Sequence, residues 1–145
     1  MQTDIKYLVD TNVISDRLRD KGGPVAAWMD AHVKESGVSA ITLAELRGGI
    51  EITAGKLRTG LEKLFRFTLE DYRHAIFDFD QSSAMEWGRM MAEKPDRPIP
   101  LDDSYIAAIA RQNDLIVVTR NIKDFPSVRT LNPWTGESFA AWAIN

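Results

Sequence analysis

The sequence predicts an α/β fold: a three-layer α/β/α sandwich around a mostly parallel sheet of four or five strands. Short aliphatic runs alternate with stretches of helical periodicity along the chain, which is typical of parallel sheets connected by helices. The most regular run, residues 115–119, begins with four consecutive aliphatic residues, as expected of a strand covered on both faces. The 145 residues contain no linker or internal repeat, which predicts a single domain over residues 1–145.

The first predicted elements are a strand and two helices. Residues 6–9 are β-prone and lack polar alternation, which indicates a strand buried on both faces. The polar residues 10–12 stop this strand. Apolar residues at near-helical spacing over 13–18 predict a helix that ends at the Gly-Gly-Pro of residues 22–24. A second helix is predicted directly after it, over residues 25–33.

The middle of the chain continues this alternation. A second strand is predicted at residues 38–41, and Thr42 opens a helix with one apolar stripe. The residues in helical register are Leu43, Leu46, Ile50, Leu57, Leu61, Leu64 and Phe65. A third strand at residues 75–79 and a helix over residues 82–92 follow.

The last third begins with a Pro-rich loop at residues 93–100. The next helix begins at Asp102 and Asp103 and leads into the strand at residues 115–119. Residues 128–131 are a candidate edge strand, and a polar and aromatic tail follows them.

The amino-acid composition excludes several kinds of cross-link and metal site. The absence of Cys excludes disulfides and Cys-based zinc sites, and the two His lack an HExxH spacing, which argues against a histidine-ligated metal. The formal net charge of −3 is opposite to the basic surplus that drives non-specific nucleic-acid binding. No uncharged stretch is long enough to cross a bilayer, and the first residues are acidic where a secretory signal is basic. We therefore expect a cytoplasmic protein without membrane contact.

Acidic and amide side chains follow the predicted strands at the edge where parallel α/β sheets bind ligands. Asp10 follows the first strand, Glu45 lies in the helix after the second, and Asp103 starts the helix before the fourth. Asn121 and Asp124 follow that fourth strand. Gathered together, such carboxylates repel one another, and a divalent cation relieves the repulsion. Oxygen ligands suit Mg²⁺, or Mn²⁺, and phosphoryl chemistry.

Asp10 and Glu45 also have purely structural interpretations. Asp10 can cap the helix that follows it, although Asn12 can do so instead. Thr42 and Glu45 fit the Ser/Thr-x-x-Glu capping box, which is worth on the order of 1 kcal/mol without any metal. Against this, Glu45 shares a helical face with small and apolar residues, which predicts a buried acid that requires a partner.

The other two acids have similar alternatives. Asp103 can favour the dipole of its helix from the first turn while Asp102 caps that helix. Asp124 can be a solvated loop residue.

Four motifs in order resemble the PIN-domain family, and more narrowly the VapC-type toxins with their FitB-like branch. They are YLVDTNVIS from Tyr7, ITLAELRGG from Ile41, DSYIAA from Asp103 and VTRN from Val118. They span nearly the whole chain, and the tail residues Asn132-Pro133-Trp134 also resemble the FitB-like branch.

The resemblance implies a magnesium-dependent endoribonuclease, the toxin of a type II toxin–antitoxin pair. It further implies a homodimer that cleaves RNA, is neutralised by a small cognate antitoxin, and meets DNA only through that antitoxin. By motif, Asp10, Glu45 and Asp103 match the family's acidic positions. Asp10 and Asp103 would bind magnesium, directly or through water, while Glu45 positions another water or helps to deprotonate the attacking one.

The fourth acidic position departs from the family. Asn121 stands where some members have Asp, which weakens the expectation of a second metal, and Asp124 substitutes only if its side chain turns inward. The candidate hydrogen-bonding residues around the site are Thr11, Asn12, Thr119 and Asn121. A local basic rim is expected from residues close to these junctions: Arg17, Arg19, Lys21, Arg47, Arg120 and Lys123.

Two alternatives remain open. Because Asn121 is neutral, the chain can be a catalytically inactive PIN-like module that only binds an antitoxin. Residues 78–82 also resemble the Asp-x-Asp-x-Ser/Thr signature of haloacid-dehalogenase-type phosphatases, although that signature normally follows the first strand.

Overall fold

A computed structural model describes residues 4–139, and its strands form one sheet in the order β3-β2-β1-β4-β5-β6. The strands are β1 (Tyr7–Val9), β2 (Ser36–Ser39), β3 (Ile76–Phe77), β4 (Ile116–Val118), β5 (Thr130–Leu131) and β6 (Ser138–Phe139). Neighbours from β3 to β5 are parallel, and β6 pairs antiparallel with β5. The sheet is mostly parallel, as predicted, and within the described residues it has one strand more than the four or five expected.

Helices cover both faces of the sheet. They are α1 (Thr11–Asp16), α2 (Pro24–His32), α3 (Ala40–Glu51), α4 (Gly55–Asp71), α5 (Gln81–Met90) and α6 (Leu101–Gln112). Successive strand residues point to opposite faces. Leu8 and Val117 therefore pack with α5 and α6, while Val9 and Val118 pack with residues of α1 to α4. The three-layer α/β/α prediction is confirmed.

The junction between β2 and α3 differs from the prediction. The strand ends at Ser39 and the helix begins at Ala40, so Ile41 and Thr42 lie inside its first turn. The hydroxyl of Ser39 accepts a hydrogen bond of 3.1 Å from the backbone N–H of Thr42, which makes Ser39 the helix N-cap. The prediction of the second strand at residues 38–41 was wrong: the strand begins and ends two residues earlier, because Ser39 caps the helix that follows.

Other boundaries also shift. The helical register expected to run on from Thr42 is broken between α3 and α4, where Gly55 has a φ of 70°. This left-handed backbone is readily accessible to glycine, and Gly55 is the first residue of α4. Helix α1 ends at Asp16 rather than at Gly22, and the third strand is only Ile76–Phe77.

Strand β6 lies in the polar and aromatic tail, for which the sequence predicted no strand. Residues 132 to 136 turn the chain back, with the backbone N–H of Gly136 donating to the carbonyl of Asn132 at 2.7 Å. Gly136 has a φ of 78°, which favours glycine. A two-residue strand carries no periodicity that could predict it.

Strands β1 and β4 form the centre of the sheet and end together. Val9 pairs with Val118, so Asp10 and Thr119 emerge side by side at the carboxyl edge. No helix within residues 4–139 is long and apolar enough to span a lipid bilayer.

Candidate active site

Asp10 lies directly beyond β1 and is 4% exposed. One oxygen, Oδ1, accepts from the backbone N–H of Thr11 at 2.8 Å, so Asp10 is the N-cap of α1. The other, Oδ2, accepts from the hydroxyl of Thr119 at 2.8 Å and from Nδ2 of Asn12 at 3.2 Å. Asp10, not Asn12, caps the helix, and the cap leaves its second oxygen directed at β4.

Thr119 connects the ends of the two central strands. It is fully buried, and its hydroxyl accepts from the backbone N–H of Asn121 at 3.0 Å and from Nδ2 of Asn12 at 3.3 Å. Oδ1 of Asn12 accepts from the backbone N–H of Arg120 at 3.3 Å. Among the predicted hydrogen-bonding residues, Asn12 and Thr119 thus contact Asp10 directly, while Asn121 takes part through its backbone.

Glu45 reaches from α3 toward α1. Its Oε1 accepts a hydrogen bond of 2.7 Å from the hydroxyl of Thr11, which also lies 3.0 Å from the hydroxyl of Thr42. The predicted capping box was wrong, because Ser39 caps α3 and the Glu45 carboxylate instead serves Thr11. The prediction that Glu45 is a buried acid was wrong: the residue is exposed, and Ile52, a neighbour on the same helical face seven residues later, is 89% exposed.

Asp103 lies in the first turn of α6, as predicted, although Pro100 rather than Asp102 is the N-cap of this helix. The side chain is half-buried. Burial raises the pKa of Asp103 from its ordinary value of 3.8 to about 7, and the negative charges of Asp10, Asp124, Glu45 and Asp102 add to this. Ionisation of this carboxyl group at neutral pH is therefore much less favourable than that of an ordinary aspartate.

We call Asp10, Glu45, Asp103 and Asp124 the acidic cluster. Burial raises the pKa of Asp10, while the hydrogen bonds from Thr119 and Thr11 lower it and the charge of Asp124 raises it. Burial also raises the pKa of Glu45, and the hydrogen bond from Thr11 opposes this. These four acids come from distant parts of the sequence, yet the charge of one disfavours ionisation of another.

Asp124 turns inward, which the sequence left open. It ends a short 3-10 turn after β4, and its side chain is 14% exposed. Its partner is Arg97, from the loop between α5 and α6, with which it forms a hydrogen-bonded ion pair. Sequence reasoning missed Arg97, because no periodicity or spacing relates this Pro-rich loop to the strand ends.

Arg120 and Trp134 lie next to the Asp10 junction. The Arg120 guanidinium lies 4.1 Å from the centre of the Trp134 ring and 3.5 Å from Oδ1 of Asp16. The backbone N–H of Trp134 donates to Oδ1 of Asn132 at 2.8 Å, which holds the ring in place. Trp134 is part of the tail sequence that resembles the FitB-like branch. In the structure, its ring stacks with the guanidinium of Arg120, which belongs to the VTRN motif.

Two other residues of the predicted basic rim are engaged in ion pairs. Arg17 bridges Asp30 and Asp71 at 3.1 Å each, and Arg47 pairs with Glu51 at 2.6 Å. Their charges are largely compensated where they lie.

Three members of the acidic cluster, Asp10, Glu45 and Asp103, form a donor set that fits a hard divalent cation. Its groups are carboxylates, and their mutual repulsion is the kind that such a cation relieves. Within residues 4–139, no three acidic or histidine side chains are arranged closely enough to hold a metal ion without rearrangement.

The residues of the phosphatase-like signature have a structural role. Asp80 is the N-cap of α5, and its Oδ1 accepts from the backbone N–H of Ser83 at 2.9 Å. This bond lowers the pKa of Asp80. Strand β3, which precedes them, is at the edge of the sheet, two strands away from β1.

Comparison with known proteins places this geometry in a family. The PIN domain model matches residues 7–131. Toxin FitB of Neisseria gonorrhoeae is 38% identical over 135 residues, covering 88% of this chain and 97% of that protein. VapC ribonuclease Y4jK of Sinorhizobium fredii is 34% identical, covering 88% and 96%. The crystal structure of FitAcB from Neisseria gonorrhoeae matches with a TM-score of 0.77 at 35% identity, covering 89% of this chain and 99% of that one. The chain belongs to the PIN-domain family.

Proposed function

We propose that this chain is a metal-dependent endoribonuclease and the toxin of a type II toxin–antitoxin pair. The observation that carries the proposal is the convergence of Asp10, Glu45 and Asp103 at the carboxyl edge of the central strands, with raised pKa values. Relatives that align over most of the chain are a toxin and a ribonuclease by name. Acids that lie close together repel one another and destabilise the fold. We therefore infer that this protein has the cluster because the cluster serves a function.

The residues that would hold the metal are Asp10, Glu45 and Asp103, directly or through water, and we propose Mg²⁺ as the ion, with Mn²⁺ as a substitute. When bound, such an ion activates water as a nucleophile and neutralises charge that develops on the scissile phosphate.

The chain's own residues prepare the site for this reaction. Thr119, Asn12 and the Thr11 backbone hold both oxygens of Asp10, so its carboxylate needs little reorganisation before reaction. Glu45 is held by the Thr11 hydroxyl and has a raised pKa, which suits it to accept a proton from the attacking water.

Antitoxin binding, RNA binding and a homodimer belong to the same proposal. A solved toxin–antitoxin complex from Klebsiella pneumoniae is a structural neighbour, with a TM-score of 0.67 at 25% identity, which supports a small antitoxin as the partner of this chain. We propose that DNA is met only through that antitoxin and that the protein acts in the cytoplasm. Sedimentation of the purified protein at micromolar concentration tests the dimer, and a monomer would contradict it.

The decisive experiment compares the parent protein with Asp10→Asn in an inducible bacterial strain. We expect the parent to arrest growth and to cleave RNA with Mg²⁺ but not with EDTA, and Asp10→Asn to lose both effects. Asp78→Asn is the matched control and should behave as the parent, because Asp78 lies at the exposed edge of the sheet.

The same experiment separates the two alternatives. An inactive antitoxin-binding module leaves RNA intact at any Mg²⁺ concentration, and Asp10→Asn then has no effect on growth. A phosphatase of the other class hydrolyses a small phosphomonoester and loses that activity with Asp78→Asn instead.

A further inference from the structure

We propose that Arg97 binds an RNA phosphate next to the scissile one, and that Asp124 positions Arg97 for this task instead of binding the metal. This inference rests on the proposed ribonuclease function. It assigns roles to an arginine outside the resemblance motifs and to an acid whose role the sequence left open.

The first argument is the location of the ion pair. Hydrogen bonds connect Asp124 to Asp10: the backbone N–H of Asp124 donates to the carbonyl of Asn121 at 2.9 Å, and the backbone N–H of Asn121 donates at 3.0 Å to the Thr119 hydroxyl, which in turn donates to Asp10. Arg97 contacts Asp124 directly, so the loop between α5 and α6 brings a guanidinium to the cluster. Among residues 4–139, Arg97 is the basic side chain that forms an ion pair with a member of this cluster.

The second argument is the difference in exposure between the partners. The Asp124 side chain is 14% exposed, whereas that of Arg97 is 55% exposed. A guanidinium carries five N–H donors in a planar fork, and a single carboxylate contact occupies only part of it. The exposed donors of Arg97 are therefore available to a phosphate, which guanidinium binds in a bidentate manner.

The third argument is the charge balance of the site. The protein carries a formal charge of −3, and the acidic cluster adds a local concentration of negative charge that repels an RNA backbone. A metal ion compensates charge at the scissile phosphate, but the adjacent phosphates need a separate cation. Arg97 is suited to bind such a phosphate, because among the described residues it forms an ion pair with Asp124 and none with Asp10 or Glu45.

The ion pair also explains why Asp124 need not be a metal ligand. A carboxylate that binds a guanidinium has given up part of its capacity to accept another cation. If Asp124 holds Arg97, the metal depends on Asp10, Glu45 and Asp103, and Asn121 is tolerated at the fourth family position.

The test uses four variants of the full-length protein: Arg97→Ala, Arg97→Lys, Asp124→Asn and Lys94→Ala. Lys94→Ala is the matched control, because it removes the same charge from the same exposed loop, and Lys94 forms no ion pair among the described residues. Two quantities are measured for each variant: steady-state cleavage of a short RNA that the parent cleaves, and Mn²⁺ affinity by calorimetry in the absence of RNA.

For Arg97→Ala we expect KM to rise about tenfold, the value of one lost charge-assisted contact, with kcat changed much less. The slope of log KM against log salt should decrease in magnitude by about one phosphate contact. Arg97→Lys should recover part of the loss, since it keeps the charge but not the fork. Asp124→Asn should raise KM in the same direction, and Lys94→Ala should match the parent. For Lys94→Ala, Mn²⁺ affinity should match the parent, and for the other three variants it should change by much less than about tenfold, because each changes the charge or its placement beside the metal ligands without removing a ligand.

Three results would overturn the inference. A tenfold loss of Mn²⁺ affinity in Asp124→Asn would make Asp124 a metal ligand. An unchanged KM in Arg97→Ala would remove the phosphate role, and faster cleavage by Arg97→Ala would make the ion pair inhibitory. These outcomes differ from failure of the ribonuclease proposal, in which the parent itself does not cleave RNA and Asp10→Asn changes nothing, and the Mn²⁺ titrations remain informative in that case.

Discussion

The hydroxyl of Thr11 donates a 2.7 Å hydrogen bond to Oε1 of Glu45 and so connects the first residue of α1 to α3. The same residue donates its backbone N–H to Asp10. Thr11 therefore sets the position of two acids of the cluster and opposes the rise in pKa that burial imposes on each of them.

Thr11→Val should shift the pH profile of RNA cleavage. The substitution removes the hydroxyl donor, so the pKa of Glu45 rises further, and a group that must be ionised then becomes active only at higher pH. We expect the acidic limb of kcat against pH to move toward alkaline values and kcat at pH 7 to fall about tenfold, within the usual contribution of a positioned base. Thr11→Ser keeps the donor and should retain the parent profile. A pH profile of Thr11→Val identical to that of the parent would show that this hydrogen bond does not control the pKa of the group whose ionisation limits cleavage.

Asp103 should make the metal-free protein less stable as the pH rises. Its folded-state pKa of about 7 exceeds the ordinary 3.8, so folding favours the protonated form. The resulting stabilisation is fully present below about pH 4 and is lost as the pH rises through 7. The difference in Tm between Asp103→Asn and the parent should therefore be larger at pH 8 than at pH 5, in favour of the variant. Asp102→Asn is the control for lost charge, and an equal pH dependence in both variants would contradict the assignment to Asp103.

Added Mg²⁺ should act in the opposite sense. A divalent ion binds the ionised carboxylates, so its stabilising effect on the parent should grow between pH 5 and pH 8 in thermal unfolding. Asp10→Asn should show a much smaller Mg²⁺ effect at every pH. A Mg²⁺ effect of equal size in that variant would show that the ion binds elsewhere.

Thr119→Val should destabilise the fold by about 1–3 kcal/mol, because it leaves the buried Asp10 carboxylate without its hydroxyl donor. The change preserves shape, so packing is a minor factor. The matched control is Thr130→Val in β5, where the buried hydroxyl has no hydrogen-bond partner among the described residues. Thr130→Val should leave the stability unchanged or raise it. Chemical denaturation compares the two, and equal effects would contradict a special role for the Thr119 bond.

Gly37→Ala should destabilise the protein by about 1–3 kcal/mol through overpacking. A Cβ at Gly37 would lie 2.6 Å from the carbonyl oxygen of Ala75 and 2.7 Å from the ring of Phe77, where β2 pairs with the edge strand β3. Gly48→Ala in α3 is the control, since a Cβ there meets no atom within 4 Å. It should stabilise the helix by about 0.5–1 kcal/mol. Thermal unfolding measures both, and a neutral Gly37→Ala would mean that β2 and β3 can separate without cost.

The positions of Asp10 and Asp103 were predictable from the sequence because regular elements place them. An aliphatic run that ends in polar residues predicts a strand of a parallel sheet with those polar side chains at its carboxyl end. Asp103 was predicted to face the packed side because apolar residues follow it one turn later on the same helix. The position of Asp10 beside β4 also follows, since the strand at residues 115–119 is the most regular in the chain.

Details that depend on side-chain choice were less predictable. Both Ser39 and Thr42 are good N-caps, and the apolar stripe of α3 is the same with either, so periodicity cannot distinguish them. The ion pair between Arg97 and Asp124 depends on the course of a Pro-rich loop, for which sequence patterns give no register. Strand β6 is too short for a pattern of its own.

The partnership between Asp10 and Thr119 spans 109 residues, and this separation has a consequence for biosynthesis. At a translation rate of about 5–20 residues per second, the first acid leaves the ribosome about 5–20 seconds before the threonine that orients it. A chain that stops before β4 contains 115 of the 145 residues and lacks the pairing of β1 with β4. Premature termination therefore yields a fragment in which the proposed site is not assembled, and RNA cleavage by that site would begin only with nearly finished chains.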